Sequence, residues 1–306
     1  MLIVFGSINM DMIVKPEHLP ESGETVLCTE YDLQPGGKGA NQALAACRMG
    51  AKTALVGCAG EDGYSRQILD VIRRQGVITS GVSQSENYRT GCAIIMQEQG
   101  GANRIIVMAG ANIEAKADQV PDEILRSDSM ILTQTEVPAE EVFTLIRRAN
   151  DKGVKVIMNL APAMAVPEEI LGMLHVLVVN EIELAQVAKG LGLSGQSHAD
   201  IALALAVRGK LTCIVTLAEK GSIVVTADGH PFHVSALSVE VVDTTGAGDA
   251  YCGTLAACLY DGKSLEESVR WASVAGSLAC TKVGTIKAFA YQDDIKERLD
   301  EIVVTK

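Results

Sequence analysis

The sequence lacks a long apolar run, a basic leader and any repeated or low-complexity segment. No window approaches the roughly 18 uninterrupted apolar residues that a membrane-spanning helix requires, so we expect no membrane partner. Residues 1–6 (MLIVFG) place no basic residue ahead of their short apolar stretch, which does not fit a secretory signal peptide. These absences predict a cytoplasmic protein.

Basic residues are few and metal-binding spacings are missing. Lys and Arg total 26 against 38 Asp and Glu, and the net charge of −12 disfavours nucleic acid as a partner, because affinity for a phosphate backbone comes from clustered cations. A single nucleotide is still compatible, since backbone N–H groups at a helix start can bind its phosphates. The eight cysteines form no C-x-x-C pair and the five histidines no H-E-x-x-H motif, so we expect neither disulfides nor a metal cluster.

Short apolar runs alternate with segments of helical periodicity along the 306 residues. The runs are hydrophobic almost throughout, which is typical of strands covered on both faces in a parallel sheet. The alternation therefore predicts an α/β fold with helices on both sides of the sheet. The predicted strands are residues 2–6, 53–58, 130–133, 154–159, 176–179 and 212–216, and the predicted helices are 41–49, 65–75, 139–152, 181–191, 200–208, 247–260 and 265–280.

Two stretches, about 12–35 and 88–108, have the alternating pattern of strands but no helix of their own. A small sheet beside the main domain would use both, and such an appendage is suited to cover an active site as a lid. Alternatively, these residues form edge strands of the main sheet. Periodicity does not separate the two interpretations.

The segment DTTGAGDA at residues 243–250 carries the strongest chemical pattern. It follows the strand-like residues 239–242 and leads into a helical pattern. Gly246 and Gly248 allow close approach of the backbone to an anion, and the N–H groups of a helix start bind phosphate oxygens. Asp249 falls in the first helical turn, where it either stabilises the helix or accepts a hydroxyl proton as a general base. The flanking glycines favour the catalytic role.

Two further segments place polar groups near the same edge of the sheet. GGKGANQA at residues 36–43 enters a helix, and Lys38 and Asn41 could bind a polyhydroxy ligand or, alternatively, belong to a loop and helix cap. It is not a P-loop, because Lys38 is not followed by Ser or Thr. GSINMD at residues 6–11 follows the first strand, and ligands collect at the carboxyl ends of strands in open α/β sheets. Asn9 and Asp11 are thus ligand candidates or turn formers.

Together these segments resemble the signatures of the ribokinase family of sugar kinases (the phosphofructokinase B type). GGKGANQA and DTTGAGDA match the two family signatures, GSINMD resembles the first-strand motif, and NEIE at residues 180–183 resembles the N-x-x-E element. The resemblance runs over the whole chain in consistent order. It implies one kinase domain over residues 1–306, a ribokinase-like three-layer sandwich with a mainly parallel central sheet and a small β-sheet lid.

The resemblance also implies a role for each matching residue. Asp249 is the expected catalytic base, and the amides of Gly246, Ala247 and Gly248 are the expected anion hole. Sugar hydroxyls would be bound by Asn9, Asp11, Gly37, Lys38, Asn41 and Glu136. ATP and Mg²⁺ would be bound by Asn180, Glu183, Thr216, Glu219, Gly221 and Ser273.

A monovalent cation, K⁺ in the family, is implied beside the anion hole. The matching ligand positions are Asp243, Thr245, Ala279, Lys282 and Gly284. The chain departs from the family at Ala288, where ribokinases usually carry a serine whose hydroxyl helps to bind potassium, so K⁺ activation is in doubt. Lys287 could place its ammonium near that site. A second departure is Ala218, where the family usually has glycine next to the nucleotide.

We therefore expect an ATP-dependent kinase that phosphorylates a primary hydroxyl of a small sugar, ribose first. The alternatives are another substrate (deoxyribose, fructose, a sugar acid or a nucleoside) and, in a different class, a non-catalytic sugar- or nucleotide-binding protein on the same fold. The resemblance further implies a homodimer formed through the lid strands.

Overall fold

The computed structural model describes residues 1–97 and 103–306, which form two separate β-sheets. The larger one has ten strands in the described chain. They are β1 (Leu2–Phe5), β4 (Thr53–Gly60), β5 (Ile78–Ser85), β8 (Met130–Thr133), β9 (Lys155–Asn159), β10 (Val176–Asn180), β11 (Thr212–Thr216), β12 (Ser222–Val225), β13 (Pro231–Val234) and β14 (Val304–Thr305).

The large sheet has the strand order β14-β13-β12-β11-β10-β9-β8-β1-β4-β5. All pairings from β5 to β11 are parallel, and the pairings from β11 to β14 are antiparallel. The parallel strands end at one edge of the sheet, where loops carrying ligand-binding side chains can meet.

The smaller sheet has four strands in the described residues, in the order β3-β2-β6-β7. They are β2 (Asn9–Val14), β3 (Tyr31–Gly36), β6 (Gly91–Gln97) and β7 (Asn103–Met108). β2 pairs in parallel with β6 and antiparallel with β3. Thus the alternating stretches form a separate sheet rather than edges of the main one, although β2 begins at Asn9 and residues 15–30 contain no strand. Residues 98–102 of the second stretch lie outside the described residues.

Helices cover both faces of the large sheet. They are α1 (Lys38–Arg48), α2 (Gly63–Arg74), α3 (Ala139–Asp151), α4 (Glu168–Leu171), α5 (Glu181–Gly190), α6 (His198–Gly209), α7 (Ala247–Tyr260), α8 (Leu265–Ala279) and α9 (Gln292–Lys296). Alternate strand residues point to opposite faces: Phe5 packs in a core with α3, α5 and α6, and Val4 packs in a second core with α1, α7 and α8. The predicted fold class, a three-layer sandwich with a lid sheet, is confirmed. In the described part of the chain, no helix combines the length and apolarity needed to cross a membrane.

The strand prediction was incomplete at the edges of the main sheet. β5 was not predicted, because its sequence ITSGVSQS is largely polar and only half-buried at the edge of the sheet. Residues 239–242 read as a strand but form none; Val241 and Val242 are exposed, and the edge strand β13 pairs with β14 instead. The backbone N–H groups of Val242 and Asp243 both donate to the Cys280 carbonyl, which holds this segment against the end of α8.

Candidate active site

The site lies where α1, α7 and the carboxyl ends of β1, β8 and β9 meet. α1 and α7 approach closely because α7 carries Gly253 at the contact, where a side chain would run into the Gln42 carbonyl of α1. Asp249, in the first turn of α7, is buried with 7% of its surface exposed. Side chains of α1 can therefore reach its carboxylate directly.

Two amides of α1 hold both oxygens of the Asp249 carboxylate. Asn41 Nδ2 donates to Oδ2 at 3.0 Å, and Gln42 Nε2 donates to Oδ1 at 3.0 Å. The predicted residues Asn41 and Asp249 are thus in direct contact. Donors on both oxygens fix the plane of the carboxylate.

Three residues of this network were missed by sequence reasoning: Gln42, Gln134 and Asn159. Gln134 Nε2 donates to Gln42 Oε1 at 2.7 Å, and Gln42 Nε2 also donates to Asn159 Oδ1 at 3.0 Å. These bonds leave the Gln42 amide one possible orientation. Asn159 ends β9 and Gln134 follows β8, so the rule that drew attention to Asn9 and Asp11 after β1 would have found them too.

Lys38, at the first position of α1, lies among three carboxylates. Burial alone would lower the pKa of its ammonium, but Asp249, Glu136 and Glu183 outweigh that effect and hold the pKa above its usual value. Lys38 therefore stays charged at neutral pH. Glu136 is held beside it: its Oε2 accepts hydrogen bonds from Ser7 Oγ at 2.6 Å and from the Lys38 backbone N–H at 3.5 Å.

Asp11 and Asn9 project from β2 of the lid sheet towards the same space. Burial, followed by the carboxylates of Glu136 and Asp249, raises the pKa of Asp11 from 3.8 to about 7. Gly36 on β3 lies against this carboxylate, and a side chain there would overlap it. Gly37, the residue before α1, has a φ of 88° and packs on the backbone of Ile8 and Asn9.

The glycine turn before α7 has the conformation of an anion-binding helix start. Gly246 caps α7 with a φ of 78°, and Thr285 and Phe289 fill the space where its side chain would be. The Ala247 N–H donates to the Thr244 carbonyl at 3.2 Å, whereas Gly248 is exposed with open space around it. An anion can therefore approach the first turn of α7 from the side of Gly248, beside Asp249.

Asn180 and Glu183 form a reciprocal capping box at the start of α5. Asn180 Oδ1 accepts from the Glu183 N–H and Glu183 Oε2 accepts from the Asn180 N–H, both at 2.8 Å. Burial raises the pKa of Glu183, against the opposing effects of that backbone N–H and of Lys38. Glu183 thus lies within electrostatic reach of Lys38.

The predicted nucleotide segment 216–221 leaves β11 through a 3₁₀ turn, Ala218–Lys220, with Glu219 exposed. Thr216 Oγ1 donates to the Val179 carbonyl at 3.4 Å, and Gly221 has a φ of 88°. Ala218 itself has a φ of 51°, the left-handed conformation that glycine adopts without strain. Ser273 is buried on α8, where its hydroxyl donates to the Ser235 carbonyl at 2.6 Å.

The predicted cation loop is organised around Asp243. Its Oδ1 accepts from the N–H and the hydroxyl of Thr245, and its Oδ2 accepts from the Gly284 N–H at 3.0 Å. Burial alone would raise the pKa of Asp243, but these hydrogen bonds outweigh it and lower the pKa. Ala279 ends α8 in the core, Lys282 is exposed, and Ala288 is buried with a side chain that offers no oxygen. Lys15 further lowers this pKa, and Lys287 is exposed.

The sequence as a whole matches a known family model. The model is that of the pfkB family carbohydrate kinases, and it covers residues 1–290. The chain belongs to this family. Curated relatives include the ribokinase of Haemophilus influenzae, 31% identical over 98% of each chain, and the ribokinase of Bacillus subtilis, 34% identical over 97% of this chain and 99% of the relative.

Solved structures give the same result for the fold. A ribokinase from Thermotoga maritima has a TM-score of 0.90 and 31% identity, covering 98% of this chain and 99% of the other. The Arabidopsis thaliana ribokinase complexed with ribose and ATP has a TM-score of 0.87 and 31% identity, over 97% and 98% of the two chains. The chain is therefore an ATP-dependent carbohydrate kinase of the ribokinase-like family.

Proposed function

We propose that this kinase transfers the γ-phosphoryl group of Mg-ATP to a primary hydroxyl of a pentose, ribose first, and that Asp249 is the general base. The observation that carries the proposal is the buried Asp249 carboxylate, oriented by Asn41 and Gln42 directly after the glycine turn. A base in this position can accept the hydroxyl proton while N–H groups of the same turn stabilise the transferred phosphoryl group.

A polyol fits the polar groups around Asp249. Asn9, Asp11, Lys38 and Glu136 approach the site from the lid and from the main sheet, and they offer both donors and acceptors. Ribose is favoured because the curated relatives with nearly full coverage are named ribokinases, and one related structure is described as a complex with ribose and ATP. The Lys38 ammonium lies within electrostatic reach of the Asp249 carboxylate.

Asn180 and Glu183 are suited to hold Mg²⁺ together with the phosphates. Mg²⁺ takes oxygen ligands and usually relies on one or two protein groups, with water and phosphate completing its coordination. Within the described residues no hydrogen bond uses Glu183 Oε1, so this oxygen is available. Bound Mg²⁺ would neutralise negative charge on the phosphate oxygens. Thr216, Glu219, Gly221 and Ser273 remain the candidates for the rest of the nucleotide.

The residues at the predicted potassium site do not fit a dedicated K⁺ site well. Asp243 already accepts three hydrogen bonds, and Ala288 supplies no oxygen. We therefore expect turnover to depend little on whether K⁺ or Na⁺ is present. Strong, selective activation by K⁺ would show that backbone carbonyls of the 279–284 loop suffice.

A homodimer through the lid sheet is the expected assembly. β7 is an edge strand, and both Ile105 and Ile106 on it are more than half exposed. Unpaired strand edges with apolar side chains are prone to pair with another chain. Light scattering after gel filtration tests this, comparing the unaltered protein with Ile105→Glu; a monomer in both cases would contradict it.

The direct test of the proposed reaction is a coupled ADP-release assay with Mg-ATP. The panel should contain pentoses, hexoses, sugar acids and nucleosides, each with K⁺ and with Na⁺. We expect ribose to give the highest kcat/KM. Preference for a hexose or a nucleoside would overturn the substrate assignment, and no ADP release with any member would overturn the reaction.

A further inference from the structure

The buried side-chain amide of Asn112 links the turn after β7 to Ile8 and Asn9, at the start of β2. It lies in the 3₁₀ turn Gly110–Glu114, just after β7, with 1% of its surface exposed. Its Oδ1 accepts from the Ile8 N–H at 2.8 Å. Its Nδ2 donates to Asn9 Oδ1 at 2.7 Å and to the Ala109 carbonyl at 2.9 Å. These bonds fix which end of the Asn112 amide faces Asn9.

The orientation of Asn112 determines that of Asn9. Because the Asn112 Nδ2 points at Asn9, the atom of Asn9 that meets it must be the acceptor Oδ1. The donor Nδ2 of Asn9 is then turned the other way, and no acceptor among residues 1–97 and 103–306 binds it. Position 9 therefore presents a donor, two residues from the Asp11 carboxylate on the same face of β2.

The neighbouring strand leaves space for this pair of amides. Gly91 on β6 is directly opposite Asn9 in the parallel pairing of β2 with β6. A side chain at Gly91 would overlap both Asn9 Oδ1 and Asn112 Nδ2. The absence of a side chain at Gly91 is thus needed for the Asn9–Asn112 hydrogen bond.

We propose that Asn112 is a positioning residue that makes Asn9 a hydrogen-bond donor to one sugar hydroxyl. The inference rests on the proposed sugar kinase function and deepens it. With Asn9 as donor and Asp11 beside it, the pair favours a substrate whose hydroxyl accepts from Asn9. A sugar without that hydroxyl leaves a buried donor unpaired, which lowers affinity strongly.

The first test is the isosteric variant Asn112→Asp. The new carboxylate still accepts from the Ile8 N–H, but it offers Asn9 an acceptor, so the Asn9 amide turns and presents Oδ1 to the sugar. We expect the Kd for ribose, measured by calorimetry, to rise at least tenfold, with the KM for ATP and the kcat at saturating ribose changing less than threefold. The matched control is Asn87→Ala, which removes a hydrogen bond to Glu114 of the same turn without contacting Asn9.

A double-mutant cycle covers the case in which Asn112→Asp folds poorly. If Asn112 acts through Asn9, then Asn112→Ala should weaken ribose binding in the unaltered protein and have no further effect in the Asn9→Ala background. Additive losses, or an unchanged ribose Kd in Asn112→Asp, would overturn the inference. If the unaltered protein binds no sugar of the panel, the proposed function fails first, and calorimetry reports this independently of the variants.

Discussion

Gln42 Nε2 on α1 donates a 3.0 Å hydrogen bond to Asp249 Oδ1 on α7, and this bond fixes the direction of the carboxylate. Gln42 is itself held by Gln134 and Asn159, from the ends of two strands. The candidate base is therefore positioned by the packing of two helices on the main sheet. The lid is not needed for this arrangement.

We expect Gln42→Met to reduce kcat while the protein stays folded. Methionine keeps the length of the side chain but cannot donate to Asp249, and displacing a reacting group by about 1 Å lowers rates by up to about 100-fold. The KM for ATP should change little. Steady-state kinetics check this, with Gln67→Met on the exposed face of α2 as the control. An unchanged kcat in Gln42→Met would show that Asp249 needs no support from Gln42.

Asp11 should make the folded protein less stable as pH rises. Its folded pKa is raised to about 7, so between about pH 4 and pH 7 only the unfolded chain ionises this group, and the free energy of unfolding falls over that window. We expect Asp11→Asn to remove this pH-dependent fall in the free energy of unfolding. The stability gain of the variant over the unaltered protein should increase by on the order of 2 kcal/mol between about pH 4.5 and about pH 8.

Urea denaturation at the two pH values measures the effect of Asp11. The exposed Asp151, at the end of α3, supplies the control variant Asp151→Asn, which removes a carboxylate from the protein surface. A pH-independent stability difference between Asp11→Asn and the unaltered protein would contradict the raised pKa of Asp11.

The two glycines of the turn before α7 should respond differently to alanine. Gly246→Ala forces a side chain into a left-handed residue and against Thr285 and Phe289, so we expect about 1–3 kcal/mol less stability as well as lost activity. Gly248→Ala meets only open space in a helical position, so stability should hold or rise by about 0.5–1 kcal/mol. The methyl group that Gly248→Ala adds lies on the side from which the anion would approach the turn.

Thermal unfolding and the KM for ATP separate the two glycine variants. Gly248→Ala should keep its Tm and still show a raised KM for ATP or a lowered kcat. A fully active Gly248→Ala would contradict phosphate binding at this turn.

Ala218→Gly should relieve strain next to the nucleotide segment. A non-glycine residue at a φ of 51° is disfavoured by roughly 1–2 kcal/mol, and the greater freedom of glycine in the unfolded chain offsets about half of that. We expect a net gain of about 0.5 kcal/mol in denaturant unfolding. Lys210→Gly is the matched control, because Lys210 also has a φ of 51° but caps α6. A change in the KM for ATP should accompany only Ala218→Gly.

The local parts of this site could be predicted from the sequence, because their residues are adjacent in the chain. Lys38 and Asn41 share one helix start, and Asp249 follows its glycines directly. The hydrogen bonds of Gln134, Asn159 and Asn112 could not be predicted, because each residue comes from a separate element and meets its partner only in the folded chain. Whether the predicted ligand residues bind sugar, nucleotide and cation stays a prediction.

The same distinction explains the errors in the fold. The buried strands were predicted because continuous apolar runs report burial on both faces. Residues 239–242 have the composition of a strand, but forming one requires a partner edge, and β13 pairs with β14 at the far end of the chain instead. Such long-range competition for a sheet edge leaves no mark in the local sequence.

Asp249→Asn tests the central claim most directly. The substitution keeps the shape of the side chain but removes its ability to accept the hydroxyl proton. We predict that turnover with Mg-ATP and ribose falls at least about 1,000-fold, consistent with loss of a general base and of the charge beside the phosphoryl group. Calorimetric Kd values for ribose and for the nucleotide should stay within a few-fold. Turnover close to that of the unaltered protein would contradict the assignment of Asp249 as the base.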